Sequence, residues 1–87
     1  MREPETRAAI LEALARVAPE VDGAALDPRG DLREQAEIDS MDVLNFVLGI
    51  AERTGVEIPE ADYGRVATLD DCVAYVAARL PPEPPGP

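Results

Sequence analysis

The chain has 87 residues, 46% of them hydrophobic but only 3% aromatic, which predicts one small domain with an aliphatic core. It contains 18 acidic and 8 basic residues and no histidine, for a formal net charge of −10. This charge repels nucleic acid and anionic membranes and attracts partners that present a basic patch. Without histidine the usual proton shuttle is absent, and a single cysteine forms neither an internal disulfide nor a cysteine-rich metal site.

Hydropathy and the first residues indicate where the protein resides. No apolar run approaches the roughly 20 residues that span a bilayer. The N-terminus alternates charges from Arg2 and Glu3 to Glu12, where a signal peptide would have an apolar stretch. We therefore expect a reduced, cytoplasmic, monomeric domain that functions by being recognised by other proteins and does not insert into membranes.

The first predicted helix runs from about Pro4 to Ala18. Proline suits a first helical turn, and Pro19 ends the segment. Apolar residues recur at three- and four-residue spacing and form one face. They are Ile10, Leu11, Leu14, Val17 and Ala18.

A long loop is predicted from Pro19 to Asp39, without a helix. Asp22-Gly23, Asp27-Pro28 and Arg29-Gly30-Asp31 are typical of turns. A loop of this length in a small domain is usually functional or mobile.

The second predicted helix runs from about Ser40 to Arg53. Asp39 or Ser40 can cap its start, and Gly55 stands where a C-terminal glycine is common. Gly49 costs about 1 kcal/mol of helix propensity relative to alanine, which raises the hypothesis of close packing at that point. A wide apolar stripe is expected to face inward. Its members are Val43, Leu44, Phe46, Val47, Ile50 and Ala51.

The remaining segments predict a short helix at Glu60 to Val66 and a last helix from Leu69 to Leu80, which Thr68 caps. Pro81 to Pro87 is rich in proline, and we predict that it forms a disordered tail. The predicted fold is all-α: a small four-helix bundle over residues 1–80, with three longer helices, one short helix and a long loop between the first two.

Catalysis by the chain itself has little support in the sequence. Ser40 has no histidine to activate it and does not lie in a Gly-x-Ser-x-Gly motif. Cys72 has the apolar helical spacing of a buried, inert thiol. The acids near Asp39 and Asp42 are interpreted as a solvated surface and not as a metal site. We predict that the protein is not an enzyme.

Residues 31–42, Asp-Leu-Arg-Glu-Gln-Ala-Glu-Ile-Asp-Ser-Met-Asp, resemble the attachment site of acyl carrier proteins. The resemblance covers nearly the whole predicted fold, from about residue 4 to residue 80. It includes Phe46, Val47 and Ile50, then Gly55-Val56-Glu57-Ile58-Pro59, Ala67-Thr68-Leu69 and Tyr75-Val76. The order and spacing of these short motifs make the resemblance specific.

The resemblance implies that Ser40 receives phosphopantetheine from coenzyme A through a phosphopantetheinyl transferase. Asp39 would help the transferase to place magnesium and orient the serine. The arm would carry acyl groups as thioesters to loading and processing enzymes with basic docking patches. The implied docking residues are Met41, Asp42, Asn45, Leu48 and Glu52.

Departures from the family pattern narrow the expected role. Glu37 stands where many members have glycine, and Ala36 where leucine is frequent. The docking helix is poor in acids, since only Asp42 and Glu52 are expected to be exposed. We therefore expect a specialised lipid or secondary-metabolite pathway, such as one making fatty acids or polyketides.

Two alternatives stay open: a peptidyl or aminoacyl carrier, and a helical adaptor that is never modified. An acyl cargo could also be hidden between the helices, although ordinary core packing is the preferred interpretation of the residues that would line such a site. They are Leu44, Phe46, Val47, Val66, Val73 and Val76.

Overall fold

A computed structural model describes residues 2–80 of the chain. Within them the protein is helical, and its four α-helices are α1 (Glu3–Val17), α2 (Leu32–Ala36), α3 (Ser40–Thr54) and α4 (Leu69–Arg79). Two 3₁₀ helices, Gly23–Ala25 and Glu60–Val66, complete the described part. The predicted all-α fold is confirmed, while the predicted tail at residues 81–87 lies outside the described residues.

The loop between the first two long helices differs from its prediction because it contains the 3₁₀ helix Gly23–Ala25 and helix α2. Side-chain caps start both elements. The Asp22 carboxylate accepts from the Ala24 N–H at 3.0 Å, and the Asp31 carboxylate accepts from the Glu34 N–H at 3.1 Å. Elements of three and five residues are too short to show a helical period, so the sequence pattern did not reveal them.

The loop is also fastened to the start of α4. The Leu32 N–H donates to the Ala67 carbonyl at 2.8 Å, and the Asp70 N–H donates to the Pro28 carbonyl at 3.0 Å. Leu32 itself is buried in the core. Backbone hydrogen bonds and buried apolar side chains therefore fix the loop against the bundle.

The core lies among α1, α3 and α4, where α1 packs against both of the others. Aliphatic side chains dominate it, as the composition predicts, since Phe46 and Tyr75 are the only buried aromatic residues among those described. The most deeply buried large apolar residues come from these three helices. They are Ile10, Leu14, Ile50 and Val76.

Helices α1 and α3 approach each other closely at Gly49. A Cβ atom at this position would stand 3.1 Å from the Ala13 Cβ, so the two helices are close because both residues are small. Beside them, the Arg53 guanidinium lies 3.5 Å from the Glu12 carboxylate and donates to the Gly49 carbonyl at 3.2 Å. The hypothesis of close packing at Gly49 is confirmed.

The predicted ends of the later helices also agree with the structure. Gly55 ends α3 with a φ of 78°, the left-handed conformation that favours glycine. The Thr68 hydroxyl accepts from the Asp71 N–H at 3.1 Å at the start of α4. The short helix predicted at Glu60–Val66 is present as a 3₁₀ helix.

Candidate functional site

A sharp turn between α2 and α3 positions the candidate site. Glu37 has a φ of 53°, which is uncommon for a residue with a side chain, and the Ile38 N–H donates to the Arg33 carbonyl at 3.1 Å. The turn buries Ile38 and leaves Asp39 and Ser40 exposed. Glu37 thus adopts the conformation that explains why glycine is frequent at this place in the family that the sequence resembles.

Two aspartates cap the start of α3, and the side chain of each accepts a hydrogen bond from the backbone N–H of the other. The Asp42 N–H donates to Asp39 Oδ1 at 2.9 Å, and the Asp39 N–H donates to Asp42 Oδ2 at 3.3 Å. This arrangement is a capping box, with aspartate as its third helical residue. Asp42, predicted as a docking residue, is half-buried and already engaged in the cap.

Ser40 is the first residue of α3, and its hydroxyl is open to solvent. The guanidinium of Arg33 reaches it, with Nη2 donating to Ser40 Oγ at 3.4 Å. The sequence singled out Ser40 but not Arg33, because only the turn at Glu37 brings α2 back alongside the start of α3. A cation next to an exposed hydroxyl can bind an anionic group that is attached to this hydroxyl.

The outward face of α3 next to Ser40 is apolar. Met41 is 67% exposed, Leu48 is 51% exposed and Leu44 is 41% exposed. Asn45 and Glu52 are exposed on the same helix. The sequence prediction placed Leu44 on the inward stripe, and this prediction is wrong because Leu44 is exposed. Its helical spacing from Met41 and Leu48 was the signal that could have placed it outward.

A cleft of about 260 Å³ opens between α2, α3 and the 3₁₀ helix Glu60–Val66. Phe46, Val47 and Val66, three of the six residues considered for a hidden cargo, line it. Of the other three, Val73 and Val76 belong to the buried core, and Leu44 faces outward. The cleft therefore combines apolar walls with a position close to the start of α3.

One wall of this cleft is attached to α4 through Tyr75. The Tyr75 hydroxyl donates to Asp62 Oδ2, and the Arg65 guanidinium lies 5.4 Å from the centroid of the Tyr75 ring. The hydrogen bond to Asp62, together with burial, raises the pKa of Tyr75. These contacts hold the 3₁₀ helix Glu60–Val66 against the bundle.

A second, wider groove of about 650 Å³ lies on another side of the α2–α3 turn, beside the end of α1. Its lining includes Ile38, which also lines the first cleft. Its charged residues are all acidic. They are Glu20, Asp22, Glu37 and Asp42.

Cys72, the single cysteine of the chain, is fully buried in α4. Burial raises the pKa of its thiol from 9.0 to about 12. The thiol therefore stays protonated and inaccessible at neutral pH, which confirms the predicted buried, inert character.

The described residues contain neither a candidate metal site nor a candidate membrane-spanning helix. Between residues 2 and 80, no cysteines and carboxylates gather into a group of three that could hold a metal ion. None of the helices in this part of the chain is both long and apolar enough to cross a bilayer.

Comparison with known proteins decides the family. The family described as "Phosphopantetheine attachment site" matches residues 8–76, most of the described bundle and all of α3. The chain belongs to this family of acyl carrier proteins. Members carry a covalently attached phosphopantetheine and act as carriers for other enzymes; the family is not a catalytic one.

Several acyl carrier proteins resemble this carrier domain in sequence. One from Helicobacter hepaticus is 33% identical over 58 residues, covering 67% of this chain and 76% of the relative. One from Rubrobacter xylanophilus is 32% identical over 56 residues, covering 64% of this chain and 69% of the relative. The meromycolate extension acyl carrier protein of Mycobacterium tuberculosis is 28% identical over 76 residues, covering 84% of this chain and 66% of the relative.

The residues of the carrier domain fit the group that the family carries. A phosphopantetheine needs an accessible hydroxyl, and Ser40 provides one at the open end of a helix. Its phosphate needs nearby donors, and Arg33 Nη2 is within 3.4 Å of the hydroxyl oxygen. When bound, the group supplies a thiol on a long flexible arm, whereas the Cys72 thiol is buried and does not compete with it.

The left-handed conformation of Glu37 yields a prediction about stability. Glu37→Gly should raise the free energy of unfolding by up to about 1 kcal/mol, because relief of about 1–2 kcal/mol of backbone strain exceeds the flexibility that glycine adds to the unfolded chain. Urea unfolding measures the change. Glu34→Gly, inside α2, is the matched control and should lower stability by about 0.5–1 kcal/mol. A loss of stability in both variants would contradict the prediction.

The buried thiol of Cys72 yields a prediction about pH. Above pH 9 an unfolded chain loses the thiol proton, whereas the folded chain keeps it up to about pH 12. The contribution of the buried Cys72 thiol to the free energy of unfolding is therefore complete below pH 9. It declines as the pH rises toward 12, by at most about 1.4 kcal/mol per pH unit. Cys72→Ala lacks this loss, so its stability should approach that of the wild type as the pH rises.

Urea unfolding of both proteins, from neutral pH to about pH 11, tests this expectation. Tyr75 titrates in both proteins and cancels in the difference. Parallel stability curves for the two proteins would contradict the assigned role of Cys72.

Proposed function

We propose that this protein is an acyl carrier modified at Ser40, and that it holds acyl intermediates as thioesters on the phosphopantetheine arm. The exposed Ser40 hydroxyl at the first position of α3, directly after the Asp39 cap, is the observation that carries the proposal. In the transfer, Ser40 Oγ forms a bond to the phosphorus next to pantetheine. The phosphoanhydride bond of coenzyme A breaks, adenosine 3′,5′-bisphosphate leaves, and the hydroxyl proton passes to the transferase.

Asp39 has two roles in this proposal. Its Oδ1 accepts the Asp42 N–H and so fixes the first turn of α3. Its Oδ2 is directed to a magnesium ion in the complex with the transferase, because a carboxylate oxygen is a ligand that magnesium prefers. The cap and the metal contact use different oxygens, so both can exist at once.

The outward face of α3 is the proposed docking surface. It comprises Met41, Leu44, Asn45, Leu48 and Glu52 and follows directly after Ser40. Its three large apolar side chains fit an apolar recess on a partner, with a basic rim that meets Glu52 and the strong negative charge of the chain. Asp42 contributes through the helix cap more than through direct contact.

The physiological setting follows from the same surface. A docking surface with a single exposed acid among five residues supports a specialised lipid or secondary-metabolite pathway over one shared by many enzymes. The relative that extends meromycolate, as its name says, supports an acyl cargo. We place the carrier in the cytoplasm as a monomer, with the transferase and acyl-processing enzymes as partners and no nucleic acid among them.

Modification of Ser40 is tested by intact mass. After incubation with coenzyme A, magnesium and a promiscuous phosphopantetheinyl transferase, the wild type should gain one phosphopantetheine and Ser40→Ala none. No gain on the wild type would exclude the carrier function, and a gain on Ser40→Ala would exclude the assigned serine.

Asp39→Asn separates the two roles of Asp39 in the same experiment. Asparagine caps a helix about as well as aspartate, so the melting temperature should stay close to that of the wild type. The initial rate of transfer should fall by about tenfold or more, because the amide is a weaker magnesium ligand. An unchanged rate would leave Asp39 with the capping role alone.

The docking surface is tested by the KM of the transferase for the unmodified carrier. Leu48→Ala should raise this KM by about five- to tenfold, since it removes apolar area that is buried on docking. Glu52→Gln, on the same surface, should change it less, because an exposed charge pair contributes little. Melting temperatures control for folding. A larger effect of Glu52→Gln would mean that charge, and not apolar contact, dominates docking.

A further inference from the structure

The surroundings of Ser40 differ in charge on its two sides. The groove beside the end of α1, here called the acid-lined groove, is lined by Glu37 and Asp42. Glu37 lies in the α2–α3 turn just before Ser40, and Asp42 lies in the first turn of α3 just after it. The apolar cleft holds Arg33, whose guanidinium already contacts the Ser40 hydroxyl. Asp31 is the one acid that lines this cleft, and its Oδ1 accepts the Glu34 N–H.

These charges act on whatever group is attached at Ser40. A phosphodiester carries one negative charge at neutral pH, so the four carboxylates of the groove repel it. An arginine presents a planar fork of N–H donors that matches the oxygens of a phosphate group. Arg33 is the only basic residue that lines either of these two cavities among the described residues.

We propose that Arg33 binds the phosphodiester at Ser40 and thereby directs the pantetheine arm toward the apolar cleft and away from the acid-lined groove. Arg33 is a positioning residue, because it acts on the phosphate while the reactive sulfur lies at the far end of the arm. The inference rests on the proposed modification of Ser40. It assigns a role to a residue that the sequence motif left without one.

The position of Arg33 in the fold supports this role. Its carbonyl accepts the Ile38 N–H in the turn, so the backbone of Arg33 is fixed relative to the start of α3. Its side chain is exposed and does not belong to the core, so it can move with a bound phosphate without disturbing the bundle. Because the contact is exposed, salt should weaken it.

Phosphorus NMR of the modified protein tests the contact directly. In the wild type the ³¹P line should be broader than in the unfolded modified protein and shifted from it. In Arg33→Ala it should narrow and move toward the unfolded position, and in Arg33→Lys it should lie in between. Arg29→Ala removes the same charge from the preceding loop and should match the wild type. Identical ³¹P lines in the wild type and Arg33→Ala would overturn the proposal.

A spin label on the arm sulfur tests the direction. The Cys72 thiol is buried, so a thiol reagent marks the arm in the folded protein. Amide signals of residues 64–67, beside the cleft, should broaden more than those of residues 20–22, beside the groove. Arg33→Glu should lower the ratio of broadening at residues 64–67 to broadening at residues 20–22 by roughly two- to fivefold, as expected for loss of an exposed charge pair. Arg29→Glu should leave this ratio unchanged.

Equal broadening on both sides in the wild type, or an unchanged ratio in Arg33→Glu, would overturn the inference while leaving the modification of Ser40 intact. Intact mass of each sample, recorded before labelling, separates the two proposals. Absence of phosphopantetheine from the wild type would remove the proposed function as well.

Discussion

The candidate site depends on one reversal of the chain between α2 and α3. Glu37 takes a left-handed conformation there, and the bond from the Ile38 N–H to the Arg33 carbonyl closes the turn. Ile38 can then be buried, and the chain enters α3 with Asp39 in position to cap it. Without this reversal, Ser40 would not stand at the exposed end of a long helix with Arg33 beside it. A local backbone constraint of about 1–2 kcal/mol thus determines the geometry on which the proposed modification depends.

The long loop supports this geometry because it is fastened at several points. Leu32 packs into the core and bonds to Ala67, and Pro28 accepts the N–H of Asp70. The segments that precede Ser40 in the sequence are therefore tied to the start of α4, which follows it by about 30 residues. The apolar cleft lies between these tied segments and α3. Its shape is set by the fold, while the outward face of α3 stays exposed.

The sequence predicted the three long helices well because each buries an apolar stripe at helical spacing over 11 to 15 residues. Helix α2 and the 3₁₀ helix Gly23–Ala25 were missed, since three to five residues carry no measurable period and only side-chain caps mark them. Ser40 and Asp39 were predicted because they lie together in a recognisable motif. Leu44 was misplaced because apolar character alone does not separate a core position from an exposed one. The contact of Arg33 with Ser40 is tertiary, and residue type gave no sign of it.

The strong negative charge of the chain and the proposed apolar docking surface would serve different stages of recognition. A net charge of −10 acts over several ångströms and would raise the rate at which a partner with a basic patch meets the carrier. It does not distinguish among partners, because the acids are spread over the whole chain. In the proposed docking surface, Met41, Leu44 and Leu48 would act only at contact, where the shape of an apolar recess on the partner decides whether they are buried. Selectivity should therefore reside in these three side chains next to Ser40, and a partner that lacks a matching recess would meet the carrier often but release it before the arm delivers its cargo.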